Sequence, residues 1–254
     1  MSLILTQPGA VWRITLNRPE ARNAVTAAML AELSSALADA AVDPDVRVVV
    51  VDGAGPDFCA GADLGELEAA AGAAGGTTYA QPLEEALTAV ADHPLPVIVA
   101  VHGAALGAGC QLVAAADLAV AAADARLGIP SGRLGIVIGF ANIERLVGLV
   151  GPRRTAELLV AGRTASGEEA AAWGLVNEAV PPDRLNGRVL ELAAEIAASA
   201  PLSVRGSKRG IRVALADGHP GDVEMMAAAA FASDDLKEGI RAFRERRSPH
   251  FRGT

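Results

Sequence analysis

The stretch PVIVAVHGAALGAGCQL, residues 96–112, decides how this chain is read. It begins as a continuous β-branched run, the pattern of a strand buried on both faces, and passes at His102-Gly103 into small residues. Gly107-Ala108-Gly109 then opens a helical pattern. A second segment repeats the plan: VRVVVVDG, residues 46–53, leads into GAGPDFCAGADLGEL, residues 53–67. Each is a strand, a glycine-rich loop and the start of a helix. Small residues in such loops let the backbone come close to a ligand, and the first N–H groups of the helix that follows have no partner within it. Two such amides converging on one point would hold a developing negative oxygen.

Working outward, AVWRITLNRP (residues 10–19) alternates apolar and polar positions before a proline, a strand signal. TAAMLAELSSALADAAVD (residues 26–43) has helical spacing with Thr26 as its cap. LAVAAADARLGI, residues 118–129, offers one or two further strands. Strands recurring with intervening helices predict an α/β core with parallel crossovers. From about Asn186 the pattern turns helical, with turns at Pro201 and Pro220, so a core over residues 1–190 is expected to precede a helical region over 191–254. The low-complexity run LEAAAGAAGGTTYAQP, residues 67–82, reads as a flexible loop.

Composition narrows the function classes. The chain has 254 residues, 51% hydrophobic but only 3% aromatic, so its core must be built from closely packed Ala, Val, Leu and Ile. A net charge of −8 argues against a nucleic-acid or membrane-surface partner, although a phosphorylated ligand stays possible. The opening MSLILTQPGAVWRI lacks the basic, apolar and small-residue order of a secretory leader, and no run reaches the ~18 apolar residues of a spanning helix. A cytoplasmic protein is expected. Cys59 and Cys110 read as small core side chains.

With NRPEARNAV (residues 17–25) and FASDDLKEGIRAFRERRSPHF (residues 231–251) added, the chain resembles the crotonase superfamily, the enoyl-CoA hydratase/isomerase family, over nearly its whole length. The resemblance implies an α/β spiral of ββα repeats with an α-helical C-terminal region, assembled as a homotrimer or homohexamer. It implies an acyl-CoA thioester as ligand, with coenzyme A as part of the substrate, no separate cofactor and no metal. By position, Ala62 and Ala108 match the two oxyanion-hole N–H donors. The segment from Ala62 through Asp63 and Leu64 to Gly65 would line the thioester and pantetheine arm, with Ala60, Gly107 and Ala108 also among the substrate-binding positions. Arg22 and Lys208 would meet the coenzyme A phosphates, a solvated surface charge being the other reading of each.

The pattern then departs from the hydratases, which carry one glutamate three residues beyond the second donor and another twenty residues later. Here those positions are Gln111 and Ser131. A neutral amide hydrogen-bonds but does not take a proton, and serine needs a neighbouring base that Pro130 and Gly132 do not supply. Eight residues past Ser131, where certain isomerase and dehalogenase relatives carry aspartate, stands Gly139. Of the remaining titratable groups near the motifs, Asp63 reads as a cap. Glu66 and Glu68 could swing over a substrate or else be solvated. His93 reads as a helix end and His102 as a loop-bonding residue, with Arg133 and Glu144 unassigned. Three readings follow: an acyl-CoA enzyme whose reaction is not efficient hydration, such as isomerisation, decarboxylation or thioester cleavage; a non-catalytic acyl-CoA-binding protein; and an ordinary hydratase using unexpected residues.

Overall fold

A computed structural model describes residues 3–72, 80–215 and 220–254. Strands β1 (Ile4–Gln7) and β2 (Val11–Leu16) form an antiparallel pair, and helix α1 (Ala27–Val42) follows, capped by Thr26, whose hydroxyl accepts the Met29 N–H at 3.2 Å. Next come β3 (Val48–Gly53), α2 (Leu64–Gly72), α3 (Ala80–Ala91), β4 (Val97–Val101), β5 (Ala104–Leu106) and α4 (Ala108–Ala115). The middle of the chain continues through β6 (Leu118–Ala122), β7 (Arg126–Gly128), α5 (Phe140–Leu159), β8 (Thr164–Ser166), α6 (Gly167–Trp173) and β9 (Glu178–Val180). Four helices close it: α7 (Leu185–Ala197), α8 (Pro201–Leu215), α9 (Gly221–Ala232) and α10 (Asp234–Glu245).

The larger sheet has the order β1-β2-β3-β4-β6-β9, parallel throughout except at the β1–β2 edge. Val48–Val51 and all of β4 are buried, as the unbroken apolar runs require of strands covered on both faces. A second ladder runs beside this sheet. It starts with bridges Val25–Ala62 and Cys59–Ala105 and continues through β5, β7 and β8. Each circuit of the chain therefore lays one strand in the large sheet and one short segment in the second ladder before its helix, which is the expected α/β spiral. The residues after β3 and β4 enter that ladder side by side.

Two expectations are revised. Leu67–Gly72 extends α2, and residues 80–82 begin α3, so those parts of the run expected to be a loop are helical; residues 73–79 lie outside the described residues. The break expected near residue 190 falls inside α7, which packs across β2, β3, β4 and β6. Val189 and Ala193 are buried there, so apolar burial ties the first C-terminal helix to the sheet. Among the described residues, no helix is long and apolar enough to cross a membrane.

Candidate active site

Two glycines shape the centre of the site. Gly61 (φ +117°) and Gly107 (φ +52°) hold backbone conformations that side chains disfavour, and a Cβ on Gly107 would lie 3.6 Å from the Gly61 Cα. Cross-bonds lock the two loops together. Cys59 N–H donates to the Ala104 carbonyl at 2.8 Å and Leu106 N–H to the Cys59 carbonyl at 2.9 Å. Gly61 O accepts the Val25 N–H at 2.8 Å, and Val25 O accepts the Asp63 N–H at 2.9 Å. Ala62 lies between these two bonds. Its own N–H, and that of Ala108 at the first position of α4, have no hydrogen-bond acceptor among the described residues. The fold thus brings two unspent donors to neighbouring loops, and the α4 dipole adds positive potential at Ala108.

Gly107 also donates to the Gly128 carbonyl at 2.9 Å, which ties this loop to β7 and places the chain running on to Ser131 beside it. Gln111 lies one turn into α4, with its N–H on the Gly107 carbonyl at 3.1 Å. Its side chain is 5% exposed, and its amide has no hydrogen-bond partner among the described residues, yet it is not among the atoms sealed from solvent. Ser131 is half-buried in a short 3-10 turn, and its hydroxyl likewise has no partner there. Neither position carries a proton acceptor of useful strength.

The NRPEARNAV segment braces this centre. Asn23, fully buried, accepts the Arg18 N–H and donates to the carbonyls of Ala54 (2.8 Å) and Asp57 (2.7 Å). Arg22, in the left-handed region at φ 53°, binds Asp57 through Nε at 2.7 Å and Nη2 at 3.2 Å. That guanidinium, followed by the Ala104 N–H, holds the Asp57 carboxyl below its usual range against the opposing effect of burial. The Arg22 side chain stays 54% exposed, so one face remains open to a ligand. Ala60 is held by its N–H on the Arg22 carbonyl at 2.9 Å, while Leu64 and Gly65 are exposed at the start of α2.

Several candidate side chains are already spent. Asp63 caps α2: its Oδ1 accepts the N–H groups of Gly65 (3.0 Å) and Glu66 (3.3 Å), and its Oδ2 accepts both terminal nitrogens of Arg18 at 3.1 Å. Arg18 before all else, helped by those amides, holds this carboxyl below its ordinary range. Its contribution to a ligand site is a fixed turn. Glu66 does not swing over a substrate; it accepts the Ala27 N–H at 2.7 Å and anchors the start of α1. Lys208 is the clearest correction, because neither a phosphate contact nor a solvated charge describes it. It is 7% exposed, donating to Asp117 at 2.6 Å and to the Leu95 carbonyl at 3.0 Å. Burial pulls its ammonium below the usual lysine value, against the raising effect of Asp117. His102 bonds the Gly55 carbonyl at 3.0 Å across the loop, and His93 is buried just past the end of α3 between Leu37 and Leu95. Burial pushes both cysteine thiols up to about 12, so neither is a ready nucleophile. No cluster of potential metal ligands occurs among the described residues.

Glu84 was missed by sequence reading. It projects from α3 to the start of α5, where it accepts the Asn142 Nδ2 at 2.6 Å. No spacing rule links it to either glycine loop, and its place in the fold is set by the packing of α3 against α4 and of α4 against α5.

Two glycine loops present unspent amides at Ala62 and Ala108, beside the buried helix α4. The family model for enoyl-CoA hydratase/isomerase matches residues 6–254, and the chain belongs to that family. It is 36% identical to the 2,3-dehydroadipyl-CoA hydratase of Escherichia coli, over 99% of this chain and 98% of that one. It is 38% identical to the mitochondrial enoyl-CoA hydratase domain-containing protein 2 of Mus musculus, over 98% of this chain and 87% of that one. Among solved structures, an enoyl-CoA hydratase/carnithine racemase from Magnetospirillum magneticum superposes with a TM-score of 0.94 at 32% identity, covering 100% of this chain and 97% of that one.

Proposed function

We propose that this protein binds an acyl-CoA thioester with the carbonyl oxygen on the N–H groups of Ala62 and Ala108, and that it catalyses a reaction through an enolate-like state in preference to hydration. The observation that carries this reading is the pair of unspent amides on interlocked loops, combined with Gln111 and Ser131 at the positions where a hydratase needs its proton movers. Backbone donors stabilise charge on a thioester oxygen whatever side chain they carry, so alanine suffices at both positions. Water activation is different, because it needs a group that takes and returns protons. Leu64 and Gly65, exposed beyond Ala62, are suited to line the pantetheine arm, and the open face of Arg22 is suited to the coenzyme A phosphates. The alternative is an acyl-CoA-binding protein without catalysis, which the neutral side chains at residues 111 and 131 favour.

Isothermal titration of a saturated acyl-CoA against free coenzyme A tests the reading. Tighter binding of the thioester is expected, and equal affinity would remove the oxyanion assignment. Lys208→Met separates the two phosphate candidates. It leaves Asp117 with the Val97 N–H but without its cation. Asp117 is partly exposed, so the loss should fall below the ~3–5 kcal/mol of a fully buried broken pair, at about 2–3 kcal/mol by urea unfolding. Acyl-CoA affinity should not change. Unchanged stability with weakened binding would return Lys208 to the ligand. The exposed apolar side chains Met225, Phe231 and Phe243 on the C-terminal helices support assembly as a homotrimer or homohexamer, which light scattering checks; a monomer at micromolar concentration would count against it.

A further inference from the structure

We infer that Glu84 is the proton-carrying catalytic residue of this site, acting on carbon and not on water; the inference rests on the acyl-CoA reading above. Three observations converge on it. The first is space: Gly139 immediately precedes α5, and a Cβ there would overlap Glu84 Oε1 and lie 3.0 Å from its carboxyl carbon. The carboxyl group of Glu84 therefore occupies the volume that a side chain at residue 139 would need, so a residue of α3 supplies an acid where the α5 segment has none.

The second is orientation. Arg145 Nη1 donates to Asn142 Oδ1 at 2.7 Å, and a guanidinium can only donate, so the buried Asn142 must turn its NH₂ toward Glu84. Glu84 Oε1 is thereby fixed as an acceptor. Oε2 has no hydrogen-bond partner among the described residues, and the residue is only half-buried. One oxygen is positioned and the other is left for chemistry.

The third is the neighbouring helix. Helix α4 packs against both α3 and α5, and it carries the Ala108 amide together with the unpartnered amide of Gln111. With one carboxylate and no second acid or base at residues 111 and 131, addition of water lacks a partner group, whereas a proton shift between two carbons needs a single base that takes and returns the same proton. In that step Glu84 Oε2 accepts a proton from the carbon next to the thioester carbonyl. The C–H electron pair forms the enolate double bond, and the carbonyl π pair moves onto the oxygen held by Ala62 and Ala108. Glu84 then returns the proton to the same carbon or, in an unsaturated acyl chain, to the carbon two bonds further along. Atoms and charge balance with no oxidant, reductant or water.

The test follows exchange of the α-hydrogens of butyryl-CoA in D₂O by NMR, together with conversion of 3-butenoyl-CoA to crotonyl-CoA by the rise in enoyl-thioester absorbance. Glu84→Gln keeps an acceptor for Asn142 and should slow both by ~10²–10⁴-fold with butyryl-CoA affinity retained. Glu84→Asp, one carbon shorter, should fall between. Gly139→Ala, which displaces the carboxyl, should slow both as well, while Glu85→Gln on the exposed face should leave them unchanged. Wild-type protein that binds butyryl-CoA but exchanges nothing, or Glu84→Gln protein that exchanges at the wild-type rate, would overturn the role of Glu84 and leave the binding reading intact. Failure of the wild type to bind butyryl-CoA at all would remove the binding reading first, and this inference with it.

Discussion

Ala108→Pro is expected to cut turnover of an acyl-CoA by ~10²–10³-fold, the range typical of losing one preformed oxyanion donor. Proline is tolerated at the first position of a helix, where its missing N–H costs no internal hydrogen bond, and Ala108 occupies that position in α4. Gly107, with φ 52° and ψ −114°, precedes it as the residue type best able to accommodate a restricted neighbour. The substitution therefore removes the proposed functional donor with little demand on the fold. Circular dichroism and thermal unfolding should stay near wild type, and thioester affinity should weaken. Intact turnover with unchanged affinity would show that the Ala108 amide is not the donor.

The second large effect is a gain. Wild-type protein should hydrate crotonyl-CoA very slowly, because general acid–base catalysis typically supplies ~10²–10⁴-fold and residues 111 and 131 provide none of it. Gln111→Glu combined with Ser131→Glu should raise hydration by more than the two single changes together, since both carboxyl groups would act on one water. Gln111 is already buried and has no described side-chain partner to lose, so Gln111→Glu breaks no contact, though the new carboxylate has to be accommodated in a largely dry place. Loss of enoyl-thioester absorbance follows the reaction. Wild-type hydration at the rate of an efficient hydratase would overturn the reading of Gln111 and Ser131. No gain in the double variant, with binding preserved, would mean that the pocket no longer holds a water between those two positions.

Much of this protein was legible in its sequence, and the reason is local. The runs at Val48–Val51 and Val97–Val101 are apolar at every position, and only a strand covered on both faces uses such a run. Gly61 and Gly107 mark backbone that side chains disfavour, so the loops after β3 and β4 announced themselves. That Gln111 and Ser131 carry no strong proton acceptor was equally plain, because a side chain's capacity to carry a proton belongs to the residue itself. What could not be read was how each charge is spent. Glu66 and Lys208 looked available, yet each is consumed by a partner 39 or 91 residues away, the Ala27 N–H and Asp117, and the Asp63 cap is also bound by Arg18. The same physics hid Glu84, one of two adjacent acidic residues on an amphipathic helix until α5 brings Gly139 and Asn142 against it. Backbone conformation and strand burial are written in short windows of sequence. The pairing of a charge depends on which elements meet, and only the tertiary packing decided that, through α3, α4 and α5 in the case of Glu84.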